Sequence, residues 1–86
     1  MLVIKRYTAS WCGPCQMLSP IMAELQNENS NVSFITVDVD QNAEEAKISN
    51  VRGVPTVMFL KNGQEVHRFS GVQPKQVIAN LIKQYS

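Results

Sequence analysis

Thr8-Ala9-Ser10-Trp11-Cys12-Gly13-Pro14-Cys15-Gln16-Met17-Leu18 decides how this chain is read, because the hydrophobic period changes inside it. On its N-terminal side, Leu2-Val-Ile-Lys-Arg-Tyr7 has the β-branched and aromatic content of a short strand. On its C-terminal side, Met17, Leu18, Ile21, Met22 and Leu25 recur at three and four residues, the spacing of a helix predicted over Gly13 to Glu28. Pro14 suits the first helical turn, where its missing N–H is not needed, and Pro20 lies inside the helix as a kink. The two cysteines of the chain therefore stand where a strand hands over to a helix.

Outward from that junction the elements follow in order. Val32 to Val39 is predicted as a strand whose alternation slips at Phe34-Ile35, so both of its faces are expected to be partly buried. Asp40-Gln-Asn offers a cap for a short helix through Ile48, and Asn50-Val-Arg-Gly53 releases the chain. Thr56 to Leu60 and Gln64 to Phe69 read as a hairpin about Asn62-Gly63. After Gly71, Pro74 starts a last helix with Val77, Ile78, Leu81 and Ile82 on one stripe. The order βαβαββα, with two parallel crossovers and then a hairpin, implies an α/β fold with a four-stranded mixed sheet flanked by helices.

Composition bounds the rest. Eighty-six residues, 44% hydrophobic and 17% charged, suit one folded domain over 1–86. A net charge of +1 leaves no large field to attract nucleic acid or an anionic membrane. The longest apolar run, Val57 to Leu60, is far short of the about 20 residues of a membrane span. The N-terminus lacks the pattern of a secretory signal, so a soluble, cytoplasmic protein is expected. In that compartment a cysteine pair is catalytic or metal-binding more often than a structural staple.

Placement gives Cys12-Gly13-Pro14-Cys15 its chemistry. Free N–H groups and the positive end of the helix dipole favour an anion at the first turn, which lowers a thiol there from its ordinary pKa of about 8.5. Cys12 is thus the expected nucleophile, with Gly13 and Pro14 shaping the turn. Cys15, one turn along, attacks the mixed disulfide formed on Cys12, leaving a Cys12–Cys15 disulfide as the redox-active product. The competing readings are weaker. Structural cysteines would not ordinarily coincide with a strand-to-helix junction, and a zinc site needs about four ligands where the chain offers one such pair and His67 in the hairpin. No metal is expected, and His67 is read as an exposed strand residue.

Trp11-Cys12-Gly13-Pro14-Cys15 closely resembles the active site of the thioredoxin family, and the resemblance continues along the chain. Pro20, Val37-Asp-Val-Asp-Gln-Asn42, Gly53-Val54-Pro55-Thr56, Phe59-Leu-Lys-Asn-Gly63 and Gly71 follow in the family's order. The resemblance implies a minimal thioredoxin-like fold, with Cys12 attacking, Cys15 resolving, and Trp11, Val54, Pro55 and Gly71 receiving a substrate peptide. It also implies a cis bond at Val54–Pro55, where the residues alone suggest only a strand-edge turn. Trp11 can equally be read as an aromatic packed on its loop, a role compatible with the first.

Reduction of protein disulfides is the implied activity, with no bound cofactor. Re-reduction would come from an NADPH-dependent flavoprotein, thioredoxin reductase. The runner-up is a glutaredoxin-like reductase coupled to the glutathione system; from another class comes a binding module with little turnover. The family's usual first strand and helix are missing, which leaves one sheet edge and part of a face without their cover and exposes apolar surface or invites a partner. A monomer is nevertheless expected. A second departure is that Arg6 stands where the family has a buried carboxylate, with Thr36 in place of its lysine partner and Thr8 in place of an aromatic residue. Arg6 is expected to extend its head to solvent.

Overall fold

The computed structural model describes residues 1–86. Strand β1 (Leu2–Thr8) leads into helix α1 (Gly13–Glu28); β2 (Ser33–Asp38) and α2 (Ala43–Ile48) follow, then the hairpin of β3 (Thr56–Lys61) and β4 (Gln64–Ser70), and finally α3 (Lys75–Tyr85). The sheet order is β2-β1-β3-β4. β1 pairs in parallel with β2 and antiparallel with β3, and β3 pairs antiparallel with β4. This is the mixed α/β sheet that the sequence implies.

Alternation along β1 sorts the core onto two faces. Leu2 and Ile4 join Leu18, Met22 and Leu25 of α1, Val57 and Phe59 of β3, and Ile78 and Ile82 of α3 in the larger cluster. Tyr7 turns to the other face, with Val37, Ala46 and Met58. The smaller helix α2 buries only Ala46 and is held largely by polar contacts. Lys5 Nζ donates to Glu45 Oε2 at 2.9 Å, and the Tyr7 hydroxyl lies within hydrogen-bond distance of Glu45 Oε2, which can only accept, at 3.3 Å and of Ser49 Oγ at 3.1 Å. Arg68 reaches across from β4 to the carbonyls of Ser49 and Asn50 just beyond the helix, while Glu65 accepts from its guanidinium.

The turn chemistry follows the sequence at the hairpin and departs from it at α2. Asn62 and Gly63 both have positive φ, 54° and 83°, as a tight two-residue hairpin requires. At α2 the expected cap is not made: Asn42 holds the N-cap position without a side-chain bond to the helix. Instead the Asp38 carboxylate accepts the N–H groups of Asp40 and Gln41, forming a turn that uses a local aspartate in place of a helix cap.

Three expectations of burial are corrected. Met17 and Val77, expected on helical stripes, are 65% and 41% exposed, because each lies at the margin of an arc whose centre is taken by Leu18 or Ile78. His67, expected to be exposed, is half-buried, stacked on Tyr85 with ring centroids 5.7 Å apart and set edge-on to Phe59 at 5.8 Å. The end of α3 covers that part of β4, which hairpin pattern alone does not reveal. No helix is long and apolar enough to cross a membrane.

Candidate active site

The site is assembled from loops at one end of the sheet. Cys12 is the N-cap of α1 in extended conformation, φ −97° and ψ 111°, and Pro14 follows within the first turn. The Cys15 N–H donates to Cys12 Sγ at 3.2 Å, so the sulfur occupies the place that a serine or aspartate oxygen takes in an ordinary N-cap. Cys12 and Cys15 are joined as a disulfide, their Cα atoms 5.2 Å apart. Both are nearly buried, against Ala9 and the partly buried Val39 and Val54.

The segment after α2 closes the site from the opposite side. The Val54–Pro55 peptide bond is cis. Cys12 Sγ lies 3.7 Å from the Val54 carbonyl oxygen, and Gly71, with φ 84°, donates its N–H to the Pro55 carbonyl at 2.9 Å. Thr56 Oγ1 donates to the Gly53 carbonyl at 2.6 Å, pinning the same loop from within. Thus Cys12, Val54, Pro55 and Gly71, far apart in sequence, are brought together, with Cys12 and Pro55 buried and Val54 and Gly71 partly exposed. Trp11 is 68% exposed beside them, and its Nε1 donates to Asp40 Oδ2 at 2.8 Å. A cavity of about 170 Å³, mostly apolar, opens between Trp11, Val39, Val51 and Val54, with Arg52 at its wall.

Sequence reasoning did not single out Asp40 or Val39 at this site. Both stand in the stretch Val37 to Asn42, and a charged residue just past a strand end near the cysteines is the signal that could have found Asp40. Arg6 lies apart from the pair, half-buried where a head free in solvent was expected. It donates to Thr36 Oγ1 at 3.2 Å and lines a cavity with the later turns of α1, while burial pushes its guanidinium pKa below the usual arginine value. The hydrophobic groups packed on the cysteines are Ala9, Val39 and Val54. No cluster of three or more His, Cys, Asp or Glu is gathered in the structure.

The thioredoxin family model matches residues 1–84. The chain belongs to the thioredoxin family. It is 36% identical over 85 residues to a thioredoxin of Chlamydia pneumoniae, spanning 99% of this chain and 83% of that one. With human thioredoxin the identity is 40% over 80 residues, or 93% of this chain and 76% of the relative. Among solved structures, Fasciola hepatica thioredoxin superposes with a TM-score of 0.93 at 39% identity, covering 99% of this chain and 81% of that chain. A mutant thioredoxin from Halobacterium salinarum gives a TM-score of 0.91 at 37% identity, covering 98% of this chain and 74% of that chain. Thioredoxin homology together with the paired cysteines makes the chain a thiol-disulfide oxidoreductase.

Proposed function

We propose that the chain reduces disulfides of protein substrates, with Cys12 as nucleophile and Cys15 as resolving thiol, and that a flavin-containing thioredoxin reductase using NADPH restores the dithiol. The observation that carries this reading is the Cys15 N–H aimed at Cys12 Sγ at the head of α1. In the reduced protein that donor and the helix N-terminus favour the Cys12 thiolate over the thiol. The Cys12 thiolate attacks one substrate sulfur, the substrate S–S bond breaks, and the other substrate sulfur leaves as a thiolate. Cys15 then attacks Cys12 Sγ, the mixed disulfide breaks, and the second substrate sulfur leaves. Two electrons and two protons pass to the substrate, and the Cys12–Cys15 disulfide remains.

The course of Arg6 bears on the proton of Cys15. Arg6 stays protonated and is engaged with Thr36, so in this reading the proton of Cys15 passes to the departing substrate thiolate or to water. An extended substrate segment would lie along Val54, Pro55 and Gly71, using the backbone of Val54 in strand-like pairing, while Trp11 covers its neighbouring side chain. Gly13 and Pro14 would tune Cys12 by fixing the turn that presents the Cys15 N–H. Equilibration with defined thiol-disulfide buffers tests the assignment. A reduction potential near the thioredoxin reference of about −270 mV supports it, and one near about −200 mV favours glutathione coupling.

A further inference from the structure

In a regular strand, residues three apart stand on opposite faces. Glu65 and Arg68 of β4 nevertheless share one, because the ladder with β3 slips between them: Phe59 pairs with His67 but Leu60 pairs with Glu65, which leaves Val66 as an extra residue. Met58 and Leu60, opposite Arg68 and Glu65 on β3, pack on the α2 side of the sheet with Tyr7 and Ala46, so both charged residues stand on that side. There the Glu65 carboxylate grips one edge of the Arg68 guanidinium, accepting from Nε at 2.6 Å and from Nη2 at 2.8 Å. Beyond it, Nη2 donates to the Ser49 carbonyl at 2.9 Å and Nη1 to that of Asn50 at 3.3 Å.

Those two carbonyls stand where α2 gives way to the loop of the site. The helix ends in a closed cap: Asn50 has φ 58°, its N–H donates to the Lys47 carbonyl at 3.0 Å, and the Val51 N–H donates to that of Ala46 at 2.8 Å. No backbone N–H serves the carbonyls of Ser49 and Asn50, and Arg68 takes both. From there Val51, Arg52, Gly53 and Val54 run directly to the cis bond and wall the cavity beside Trp11, with the Val54 carbonyl 3.7 Å from Cys12 Sγ. The far end of this segment is tied by Thr56 to Gly53 and by Gly71 to Pro55. Its near end is tied by Arg68, with the Tyr7 hydroxyl at Ser49 Oγ beside it.

We propose that Arg68, oriented by Glu65, is a positioning residue that fixes the course of Val51 to Val54 for an incoming protein disulfide, a role that rests on the reductase reading above. The planar fork is what the task requires. One guanidinium serves two carbonyls and a carboxylate from separate nitrogens, whereas a lysine offers its donors from a single atom on a flexible stem. Both side chains of the pair are about a third exposed, so their share in global stability is small. Without the clamp the segment spends less of its time in the binding course. The apparent KM then rises in proportion, while the sulfur chemistry at Cys12, set by the first turn of α1, is left as it is.

The test compares wild type, Arg68→Gln, Arg68→Lys, Glu65→Gln and the double variant Glu65→Gln/Arg68→Gln in insulin reduction by dithiothreitol and in iodoacetamide alkylation of Cys12. Both Arg68 variants should raise KM for insulin about fivefold, the worth of roughly one net hydrogen bond, with kcat and the alkylation rate within about twofold of wild type. Glu65→Gln should raise KM too, and should add nothing in the Arg68→Gln background, because it acts through Arg68. In NMR spectra of the reduced proteins, the amides of Asn50 to Val54 should shift and those of Cys15 and Gln16 should not. Unchanged KM, an equal loss in alkylation, rescue by Arg68→Lys, or additive effects of the two substitutions would overturn the proposal. So would a lowered Tm with KM unchanged, the mark of a purely structural clamp. If Arg68→Gln does not fold, Glu65→Gln carries the same comparison. A wild type inert toward insulin would sink the reductase reading instead, and the amide shifts, which need no turnover, still decide whether Arg68 sets the segment.

Discussion

The backbone N–H of Cys15 donates to Cys12 Sγ at 3.2 Å, so the first turn of α1 holds a donor against the sulfur proposed as the nucleophile. A thiolate there gains a charge-assisted bond that a thiol does not. In the proposed mechanism Cys15 follows the attack rather than starting it. Cys15→Ser should therefore still react with a protein disulfide but stall as a covalent complex through Cys12, whereas Cys12→Ser should form none. Non-reducing electrophoresis after mixing with a disulfide-bonded protein checks both. A trapped complex with Cys12→Ser would reverse the two roles.

Trp11 is the only tryptophan, and Asp40 holds its indole N–H at 2.8 Å. If the ring covers substrate, Asp40→Ala should raise KM for a protein disulfide by about fivefold, the worth of roughly one hydrogen bond, and leave kcat within about twofold. The tryptophan emission, excited where the two tyrosines do not absorb, should change in the same variant, because it reports on Trp11 alone. Unchanged KM together with changed fluorescence would make Trp11 a packing residue of the loop.

Glu45 links α2 to β1. Its carboxyl lies below the usual carboxylate range, chiefly through the hydrogen bond from Lys5, and Lys5 is raised by the same bond. A lowered carboxyl pKa contributes stability above its unfolded value of about 4.3, and that contribution is lost as pH falls through the folded value. The raised lysine contributes below about 10.4 and loses its share as pH rises through its own folded value. Glu45→Gln should thus be less stable at neutral pH, by under about 1 kcal/mol because both side chains are about a third exposed. Denaturation followed from pH 7 to pH 2 should show the gap to wild type closing in acid.

Leu18 is fully buried where α1 meets the sheet. Leu18→Ala should cost about 2 to 5 kcal/mol, out of a total of roughly 4 to 13 kcal/mol for a chain of this length. A fall in Tm of at least about 10 °C is expected by calorimetry. Met17→Ala, one residue earlier but 65% exposed, should stay within about 0.5 kcal/mol of wild type.

Much of this architecture was legible in the sequence because local period and tertiary burial agree there. The change from alternation to helical spacing around Cys12, the two positive-φ residues at Asn62 and Gly63, and the placement of Pro14 are all decided within a few residues. What escaped was set by partners distant in sequence or by local side-chain bonds that compete with capping. His67 is covered by Tyr85, eighteen residues later, so no pattern within the hairpin announces it. Asp38, rather than Asn42, organises the start of α2 because its side chain meets the two N–H groups beyond it, a geometry that competes with capping. The cis bond at Val54–Pro55 agrees with what family resemblance implied, while Arg6 turns to Thr36 and the cavity at the β2 edge, a half-buried course and not the free head expected of it.

Catalysed reduction of a protein disulfide is the most direct test of the central claim. Insulin reduction by dithiothreitol, followed with wild type, Cys12→Ser and no added protein, separates a turning-over dithiol from a binding surface of the same shape. The account predicts that wild type accelerates the reaction well above the uncatalysed rate and that Cys12→Ser returns it to that rate. Wild type no faster than Cys12→Ser would contradict the account and leave the fold as a binding module.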